Sequence, residues 1–175
     1  MDYSNFIRTV PDFPEPGIMF RDVTTLFSNS NAFQTMILSF EKNWQGKDIE
    51  YIAGIDARGF IIGGALAHHM EVGFVPVRKK GKLPYKTIEE DYALEYGTAT
   101  LELHIDAIPA GSKVLVVDDL IATGGTAIAT IKLIKRLEAK IVGCSFLVDL
   151  PDLKGSRKIK DMGIEVKSLC EFDGK

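Results

Sequence analysis

One strand–turn–helix unit, residues 113–138, constrains the fold more than any other part of the chain. Its first five residues, Lys-Val-Leu-Val-Val, form an almost continuous apolar and β-branched run, which is typical of a parallel strand covered on both faces. Two adjacent acids, Asp118 and Asp119, come next, followed by a turn of small residues and a helical pattern. A strand, a turn and a helix in this order predict an α/β fold with a largely parallel sheet.

Short apolar runs and helical patterns alternate along the rest of the chain. Strands are predicted at residues 50–55, 72–77, 98–104, 113–117, 141–148 and 164–169, and helices at residues 31–44, 60–70, 125–138 and 154–162. Asn31, with Gln34 three residues later, has the spacing of a capping box at the start of the first helix. Three prolines between residues 11 and 16 favour an extended or turning chain before that helix.

Size and composition predict one soluble domain inside the cell. The chain has 175 residues, of which 46% are apolar, enough for a single domain with a buried core. The formal net charge of −3 argues against nucleic acid or an anionic membrane as a partner. Cys144 and Cys170 lie far apart and away from metal-binding spacing, which fits a reducing compartment. The N-terminus does not resemble a signal peptide, and no apolar run approaches the ~20 residues of a membrane span, so we expect a cytoplasmic location.

Residues 78–96 differ from the rest because they are polar and show little apolar periodicity. The segment begins with a basic cluster, contains Gly81 and Pro84, and continues into three acids at residues 89–91. A polar connection of this length inside a compact domain is uncommon and often functional. We therefore predict a lid in this part of the chain, with the three acids as solvated charges.

The residues that follow strand 113–117 have the chemistry of a site for a phosphorylated ribose. Ligands of open α/β sheets bind beyond the carboxyl ends of the strands, and the start of a helix offers unpaired N–H groups to a phosphate. Residues 122–126, called the phosphate turn below, supply such groups, and their two glycines let the backbone approach an anion closely. The phosphate turn consists of Ala122, Thr123, Gly124, Gly125 and Thr126. Asp118 and Asp119 can accept hydrogen bonds from sugar hydroxyls or hold Mg²⁺ through water.

Two better-known phosphate-binding patterns are missing from the sequence. Neither the Gly-x-x-x-x-Gly-Lys-Ser/Thr loop nor the dinucleotide pattern Gly-x-Gly-x-x-Gly occurs anywhere in the chain. The phosphate turn is therefore neither a nucleoside-triphosphate loop nor a dinucleotide fingerprint.

Residues 114–126 resemble the 5-phosphoribosyl 1-pyrophosphate binding motif of type I phosphoribosyltransferases. Four further segments, in the same order along the chain, are similar to the adenine phosphoribosyltransferases within that family. They are Phe-Pro-Glu-Pro-Gly-Ile-Met-Phe-Arg-Asp at residues 13–22, Ala-Gly-Ile-Asp-Ala-Arg-Gly-Phe at 53–60, Arg-Lys-Lys-Gly-Lys-Leu-Pro at 78–84 and Leu-Glu-Tyr-Gly at 94–97. The resemblance implies one phosphoribosyltransferase domain over residues 1–175, with a small N-terminal base-binding hood at residues 1–30 and a flexible catalytic lid at about residues 79–97.

The resemblance also implies an activity and its partners. The expected reaction is purine salvage, in which the 5-phosphoribosyl group passes from 5-phosphoribosyl 1-pyrophosphate to adenine and gives AMP and pyrophosphate. Mg²⁺ is the expected cofactor, carried by the substrate because the sequence has no dedicated metal cage. A homodimer is expected from the family.

Roles for individual residues in base and pyrophosphate binding follow from the same resemblance. Phe20 would stack on the purine, while main-chain groups around Met19 and Arg21 would read its edge. The pyrophosphate-binding residues would be Ala57, Arg58 and Lys79, with Arg78 and Lys82 as further contributors.

The resemblance places the catalytic chemistry on three carboxylates. Glu95 belongs to the lid and would stabilise positive charge that develops on the ribose, or take up the proton that the base loses. Asp118 and Asp119 complete the catalytic set as the ribose-binding acids.

Two other functions stay open at this point. One is a phosphoribosyltransferase for another purine, against which residues 13–22 and 94–97 argue. The other is a non-catalytic regulator that senses 5-phosphoribosyl 1-pyrophosphate and binds nucleic acid, which would call for a basic face or an added DNA-binding domain.

Overall fold

The apolar run that begins at Lys113 forms an inner strand of a seven-stranded sheet in the computed structural model, which describes residues 1–93 and 97–174. The strands are β1 (Arg8–Pro11), β2 (Met19–Asp22), β3 (Tyr51–Ile55), β4 (Gly73–Lys79), β5 (Thr87–Ala93), β6 (Thr98–His104), β7 (Lys113–Ile121), β8 (Lys140–Asp149) and β9 (Val166–Glu171). The α-helices are α1 (Thr24–Phe27), α2 (Ser30–Asn43), α3 (Arg58–Met70), α4 (Gly125–Arg136) and α5 (Gly155–Asp161). Short 3-10 turns lie at Tyr3–Phe6 and Pro151–Leu153.

The central sheet is mostly parallel, as the sequence predicts. Its strand order is β5-β6-β4-β3-β7-β8-β9. Strand β3 pairs in parallel with β4 and β7, and β8 pairs in parallel with β7 and β9. Strand β6 runs antiparallel to both β4 and β5. The carboxyl ends of β3, β4, β7 and β8 therefore lie at one edge of the sheet.

Helices cover both faces of the sheet, which makes three layers. Along β7 the side chains alternate, since Val114 and Val116 pack in the apolar cluster of α4 whereas Leu115 and Val117 pack in the cluster of α2 and α3. Within the second cluster, Trp44 is buried and its Nε1 donates a hydrogen bond to the buried Ser145 hydroxyl at 3.0 Å. Burial on both faces explains why the β7 run has no polar alternation.

The cap of α2 differs from the prediction. The helix begins at Ser30, and the side chain of Asn29 accepts a hydrogen bond from the N–H of Ala32 at 3.0 Å. Asn29 has the extended backbone that a cap requires, with φ −94° and ψ 107°, whereas Asn31 already lies inside the helix. The predicted capping box of Asn31 and Gln34 is therefore wrong by two residues.

The polar segment at residues 78–96 contains a strand that the sequence pattern did not predict. Strand β5 pairs in register with β6 and turns Ile88, Glu90 and Tyr92 towards the protein interior. The middle inward position is a glutamate, whose carboxylate pairs with Lys132 of α4 at 2.8 Å. This charge interrupts the apolar alternation that would have marked the strand, and the predicted solvated acid at position 90 is an ion-pair partner instead.

The first thirty residues form a two-stranded hairpin beside the central sheet, and their buried side chains pack in the cluster of α2 and α3. Strands β1 and β2 pair antiparallel, with Arg8 opposite Asp22. The Asp22 carboxylate accepts hydrogen bonds from the N–H of Thr24 at 3.0 Å and from its hydroxyl at 2.6 Å, and pairs with Arg8. The Thr24 hydroxyl and Arg8 lower the pKa of Asp22 to about 2. One carboxylate thus joins the hairpin to the start of α1.

No helix within the described residues combines the length and apolarity needed to cross a membrane.

Candidate active site

The two acids of the predicted ribose site lie inside strand β7, whose end was predicted at residue 117. The strand continues to Ile121 because Leu120 and Ile121 still pair with Val148 and Asp149 of β8. Asp118 and Asp119 are therefore fixed by the sheet ladder and not by a free turn. Both carboxylates are buried.

Asp118 lies under the first turn of α3. Its Oδ1 accepts the N–H of Asp119 at 2.9 Å, and a Cβ atom built on Gly59 would come within 2.8 Å of the same oxygen. Burial raises the pKa of the Asp118 carboxyl well above its usual range, and the charge of Asp119 raises it further. The glycine at position 59 is needed because a larger residue would displace this acid.

Asp119 forms the shortest ion pair of the site. Its Oδ2 accepts a hydrogen bond from Arg58 Nε at 2.5 Å, and the side chain of Asp119 is 6% exposed whereas that of Arg58 is 43% exposed. Burial alone would lower the pKa of Arg58, but the charge and hydrogen bond of Asp119 outweigh it and the pKa is raised. The carboxylate thus holds a cation that still faces solvent.

The phosphate turn has the geometry of an anion site. Gly124 adopts a left-handed backbone, φ 84°, and is the cap of α4. Within residues 1–93 and 97–174, the N–H groups of Thr123, Gly124, Gly125 and Thr126 have no hydrogen-bond partner. Four unpaired donors at the start of a helix are a ready anion-binding site.

A segment that the sequence pattern did not single out supports the phosphate turn from behind. The N–H of Gly155 donates to the carbonyl of Ala122 at 3.0 Å, and the ammonium of Lys158 donates to the carbonyl of Thr123 at 3.0 Å. A Cβ atom on Gly155 would lie 2.3 Å from the Ala122 carbonyl oxygen. Helix α5 therefore fixes the carbonyls of the turn and leaves its N–H groups free.

The basic run at residues 78–82 gathers around a buried carboxylate, Asp56. Arg78 Nε lies 3.5 Å and Lys82 Nζ 3.4 Å from Asp56 Oδ2, and the N–H of Lys79 donates to the same oxygen at 3.5 Å. The side chain of Lys79 lines a cavity together with Ala57. Arg78 and Lys82 are thus engaged with Asp56, a residue that the sequence pattern did not assign.

Three cavities open along the carboxyl edge of the sheet, and we name each by one lining residue. The Phe20 cavity, about 400 Å³, is lined by Glu15, Pro16, Gly17, Ile18, Met19, Phe20, Arg21, Arg58, Leu120, Ala122, Leu150 and Leu153. The Gly124 cavity, about 290 Å³, is lined by Tyr92, Ala93, Phe146, Leu153 and residues 120–127. The Arg58 cavity, about 310 Å³, is lined by Asp56, Ala57, Arg58, Lys79, Tyr92, Asp118, Asp119, Leu120 and Thr126.

The three cavities meet at Leu120, which lines all of them. Arg58 joins the Phe20 and Arg58 cavities, and Tyr92 joins the Arg58 and Gly124 cavities. Burial, followed by the charge of Asp56, raises the pKa of Tyr92. The structure thus brings together the predicted base and sugar residues with Ala57, Arg58 and Lys79, and adds Leu120 and Tyr92 to them. The predicted pyrophosphate residues Arg78 and Lys82 line none of the three cavities.

The Phe20 ring has two close neighbours. The ring of Phe13 meets it edge-on with centroids 5.2 Å apart, and the guanidinium carbon of Arg58 lies 5.9 Å from its centroid. Leu150 and Leu153 form an apolar wall of the same cavity. A flat apolar ring fits this arrangement.

The predicted catalytic acid Glu95 lies outside the described residues. For a metal ion, the described part of the chain holds no group of three or more His, Cys, Asp or Glu side chains.

Comparisons with known proteins find relatives over nearly the whole chain. The phosphoribosyl transferase domain family matches residues 26–171. The chain is 56% identical over 174 residues to an adenine phosphoribosyltransferase of Maricaulis maris, covering 99% of both chains. The crystal structure of adenine phosphoribosyltransferase from Rhodothermus marinus is 51% identical, with a TM-score of 0.90 and coverage of 96% of this chain and 95% of the other. That of Saccharomyces cerevisiae, complexed with a dideoxy-imino-altritol bisphosphate and adenine, is 40% identical, with a TM-score of 0.88 and coverage of 95% and 98%.

Proposed function

The chain belongs to the phosphoribosyl transferase family, and we propose that its three joined cavities hold the base, the ribose phosphate and the pyrophosphate of a single reaction. The enzyme transfers the 5-phosphoribosyl group from 5-phosphoribosyl 1-pyrophosphate to adenine, giving AMP and pyrophosphate. The observation that carries the site assignment is the meeting of all three cavities at Leu120. The reacting carbon must lie where base, sugar and leaving group come together.

Adenine is assigned to the Phe20 cavity. Its ring would lie on the ring of Phe20, with the main chain of Met19 and Arg21 along its hydrogen-bonding edge. Stacking gives affinity for any purine, so the choice of adenine depends on those backbone groups. The adenine complex of the Saccharomyces cerevisiae relative supports a base site in this fold.

The ribose 5-phosphate is assigned to Asp118, Asp119 and the phosphate turn. The N–H groups of Thr123 to Thr126, which have no partner among the described residues, would bind the 5′-phosphate, helped by the positive end of α4. The two carboxylates would accept hydrogen bonds from the ribose hydroxyls. Because Arg58 donates a hydrogen bond to the Asp119 carboxylate, the ribose can bind this carboxylate only if the ion pair opens or if both partners share its two oxygens.

Pyrophosphate is assigned to the Arg58 cavity. Its ligands would be the backbone of Ala57, the guanidinium of Arg58 and the ammonium of Lys79, all of which line that cavity. Arg78 and Lys82 contribute positive potential, although their side chains contact Asp56. Arg58 lies between Asp119 and the Phe20 ring, so one residue is in reach of all three substrate parts.

The reaction breaks the bond between C1 of the ribose and the pyrophosphate oxygen and forms a bond from C1 to N9 of adenine, which loses its proton. Positive charge develops on the ribose as the leaving group departs, and nearby carboxylates stabilise it. Glu95 is proposed for this role at the base and anomeric carbon. We expect Glu95→Gln to lower kcat far more than it changes either KM in steady-state assays; equal kcat would rule the role out.

Mg²⁺ is the proposed cofactor, and its oxygen preference suits the two aspartates together with substrate phosphates. Asp118 and Asp119 would hold it through water. When bound, it neutralises the negative charge of the leaving pyrophosphate. A cytoplasmic homodimer completes the proposal, and nucleic acid and membranes are not expected as partners.

The assay that tests this function measures pyrophosphate release with adenine and with hypoxanthine, each with and without Mg²⁺. The account predicts release with adenine and Mg²⁺ only. Equal turnover of hypoxanthine would favour a broader purine enzyme. No turnover together with an electrophoretic shift of DNA would favour the regulator.

A further inference from the structure

The C-terminal residues 172–174, called the tail below, contact the strand that is proposed to read adenine. The guanidinium carbon of Arg21 lies 4.3 Å from the centroid of the Phe172 ring. Arg21 Nη2 also donates to the carbonyl of Asp173 at 3.3 Å, and its Nη1 donates to the Thr9 hydroxyl at 2.6 Å. One arginine therefore joins both strands of the N-terminal hairpin to the end of the chain.

The tail is itself anchored to the sheet beside the Phe20 cavity. The N–H of Phe172 donates to the carbonyl of Asp149 at 3.1 Å, at the end of β8. The N–H of Gly174 donates to Asp152 at 2.9 Å. Asp152 belongs to the 3-10 turn whose last residue, Leu153, lines the Phe20 cavity. The tail thus connects a wall of that cavity to its hood.

The hairpin needs such an anchor. Its two strands have four residues each, and a two-stranded hairpin alone is marginally stable in water. Arg21 Nε is buried without a hydrogen-bond partner among the described residues. Contact with the Phe172 ring therefore adds to the hydrogen bonds of this guanidinium with Thr9 and Asp173, because stacking on a ring face is favourable for it.

We infer that the tail is a positioning element for base recognition, in which Phe172 and the Asp173 carbonyl hold Arg21 and so set the strand that carries Phe20. The inference rests on the proposed placement of adenine in the Phe20 cavity. Successive strand residues point to opposite faces, so Arg21 can be held from behind while Phe20 faces the base. Residues 172–174 line none of the three cavities in the described part of the chain, so the tail reaches the base site through its contacts with Arg21 and Asp152.

The test compares the KM for adenine with the KM for 5-phosphoribosyl 1-pyrophosphate in the full chain. Phe172→Ala is expected to raise the adenine KM by roughly three- to thirtyfold, the range of a cation–π contact, and to leave the other KM within about twofold. Phe172→Tyr keeps the ring and should retain the wild-type adenine KM. Ile141→Ala, which truncates a partly buried residue at the opposite end of β8, is the control for a general loss of stability.

A double-mutant cycle with Arg21→Lys makes the test independent of folding losses. If the two side chains act as one unit, the adenine KM of the double variant is no more than about twofold above that of the single variant with the higher adenine KM. Multiplicative effects of the two changes, or equal rises in both KM values in Phe172→Ala, would overturn the inference.

Phe20→Ala separates failure of this inference from failure of the site assignment. A large rise in adenine KM for Phe20→Ala with none for Phe172→Ala overturns the role of the tail alone. No rise for either variant overturns the placement of adenine as well.

Discussion

A single glycine outside the motif, Gly155, determines the shape of the phosphate turn. A Cβ atom added to Gly124 would lie 3.1 Å from the Cα of Gly155. A Cβ atom added to Gly155 would lie 2.3 Å from the carbonyl oxygen of Ala122. Backbone contacts this close leave no room for a methyl group on either side. The anion site therefore depends on two glycines from segments that are far apart in sequence.

Gly155→Ala should damage substrate binding more than folding. The new methyl group must displace the Ala122 carbonyl, and with it the N–H groups that follow. We expect the KM for 5-phosphoribosyl 1-pyrophosphate to rise at least about tenfold, equivalent to about 1.4 kcal/mol. Ser156→Ala, at the next position of α5, removes an atom instead of adding one and is the matched control. Similar KM values for both variants would contradict the argument.

Asp118 illustrates a residue that the active site keeps at a cost in stability. Because its pKa is raised in the folded state, its contribution to folding is fully present below the unfolded value of 3.8 and is lost as the pH rises through the folded pKa. Asp118→Asn removes the buried charge and keeps a side chain of similar shape. The variant should be inactive or nearly so, and yet melt higher than the wild type near neutral pH.

Thermal melting at several pH values tests this expectation. The gain in Tm should be about 3 °C or more at pH 8, since each kcal/mol shifts the Tm of a chain this size by about 2–4 °C. The gain should shrink as the pH falls. Asp119→Asn loses the ion pair with Arg58 and should show no gain. A Tm difference for Asp118→Asn that does not change with pH would refute the assigned cause.

Residues of the site were predictable where the chemistry is local in sequence. Asp118, Asp119 and the phosphate turn form one continuous stretch, so their combination could be interpreted without a structure. Asp56 and Gly155 could not be found in this way, because each matters through a contact with a segment more than twenty residues away.

At the scale of elements, the hairpin of β1 and β2 is joined to α1 through Asp22. The side chain of Asp22 is 14% exposed and binds both Thr24 and Arg8. Since the pKa of Asp22 falls to about 2, its stabilising effect is present above pH 3.8 and is lost as the pH falls towards 2. The hairpin should therefore loosen in acid.

Asp22→Asn should lower the Tm at pH 7, because the neutral amide can still accept the N–H of Thr24 but loses the charge that attracts Arg8. The Tm deficit relative to the wild type should shrink as the pH falls from 3.8 towards 2, where the carboxyl of the unfolded chain and then that of the folded chain takes up a proton. Melting curves across this range provide the measurement. A deficit that stays constant would mean that packing and not charge is responsible.

Elements were predictable where burial decides the pattern, as in β7 and α4. Strand β5 was missed because Glu90 takes an inward position and is neutralised by Lys132, a partner about forty residues later. The start of α2 was misplaced because two asparagines lie two residues apart, and only the backbone conformation shows that Asn29 is the cap.

For the whole molecule, the proposed homodimer has a candidate surface. Ile61 on α3, Leu38 on α2 and Phe74 on β4 are 49%, 46% and 36% exposed. Apolar side chains of this size on one side of a sheet protein are candidates for a subunit interface. Sedimentation equilibrium should give twice the mass of one chain, and Ile61→Asp should shift the sample towards monomer. A wild-type monomer at micromolar concentration would contradict the dimer.

The proposed site as a whole requires three substrate groups to bind side by side. In the proposed function, the base, the sugar phosphate and the pyrophosphate occupy three cavities that share Leu120 as a lining residue. AMP contains both the base and the ribose phosphate, so its bound position tests which cavity takes which group.

The most direct measurement is a crystal structure of the chain with AMP. The account predicts adenine on the Phe20 ring, the ribose hydroxyls within hydrogen-bonding distance of Asp118 or Asp119, and the phosphate on the N–H groups of residues 123–126. A phosphate bound elsewhere, with those N–H groups engaged only by protein atoms, would contradict it.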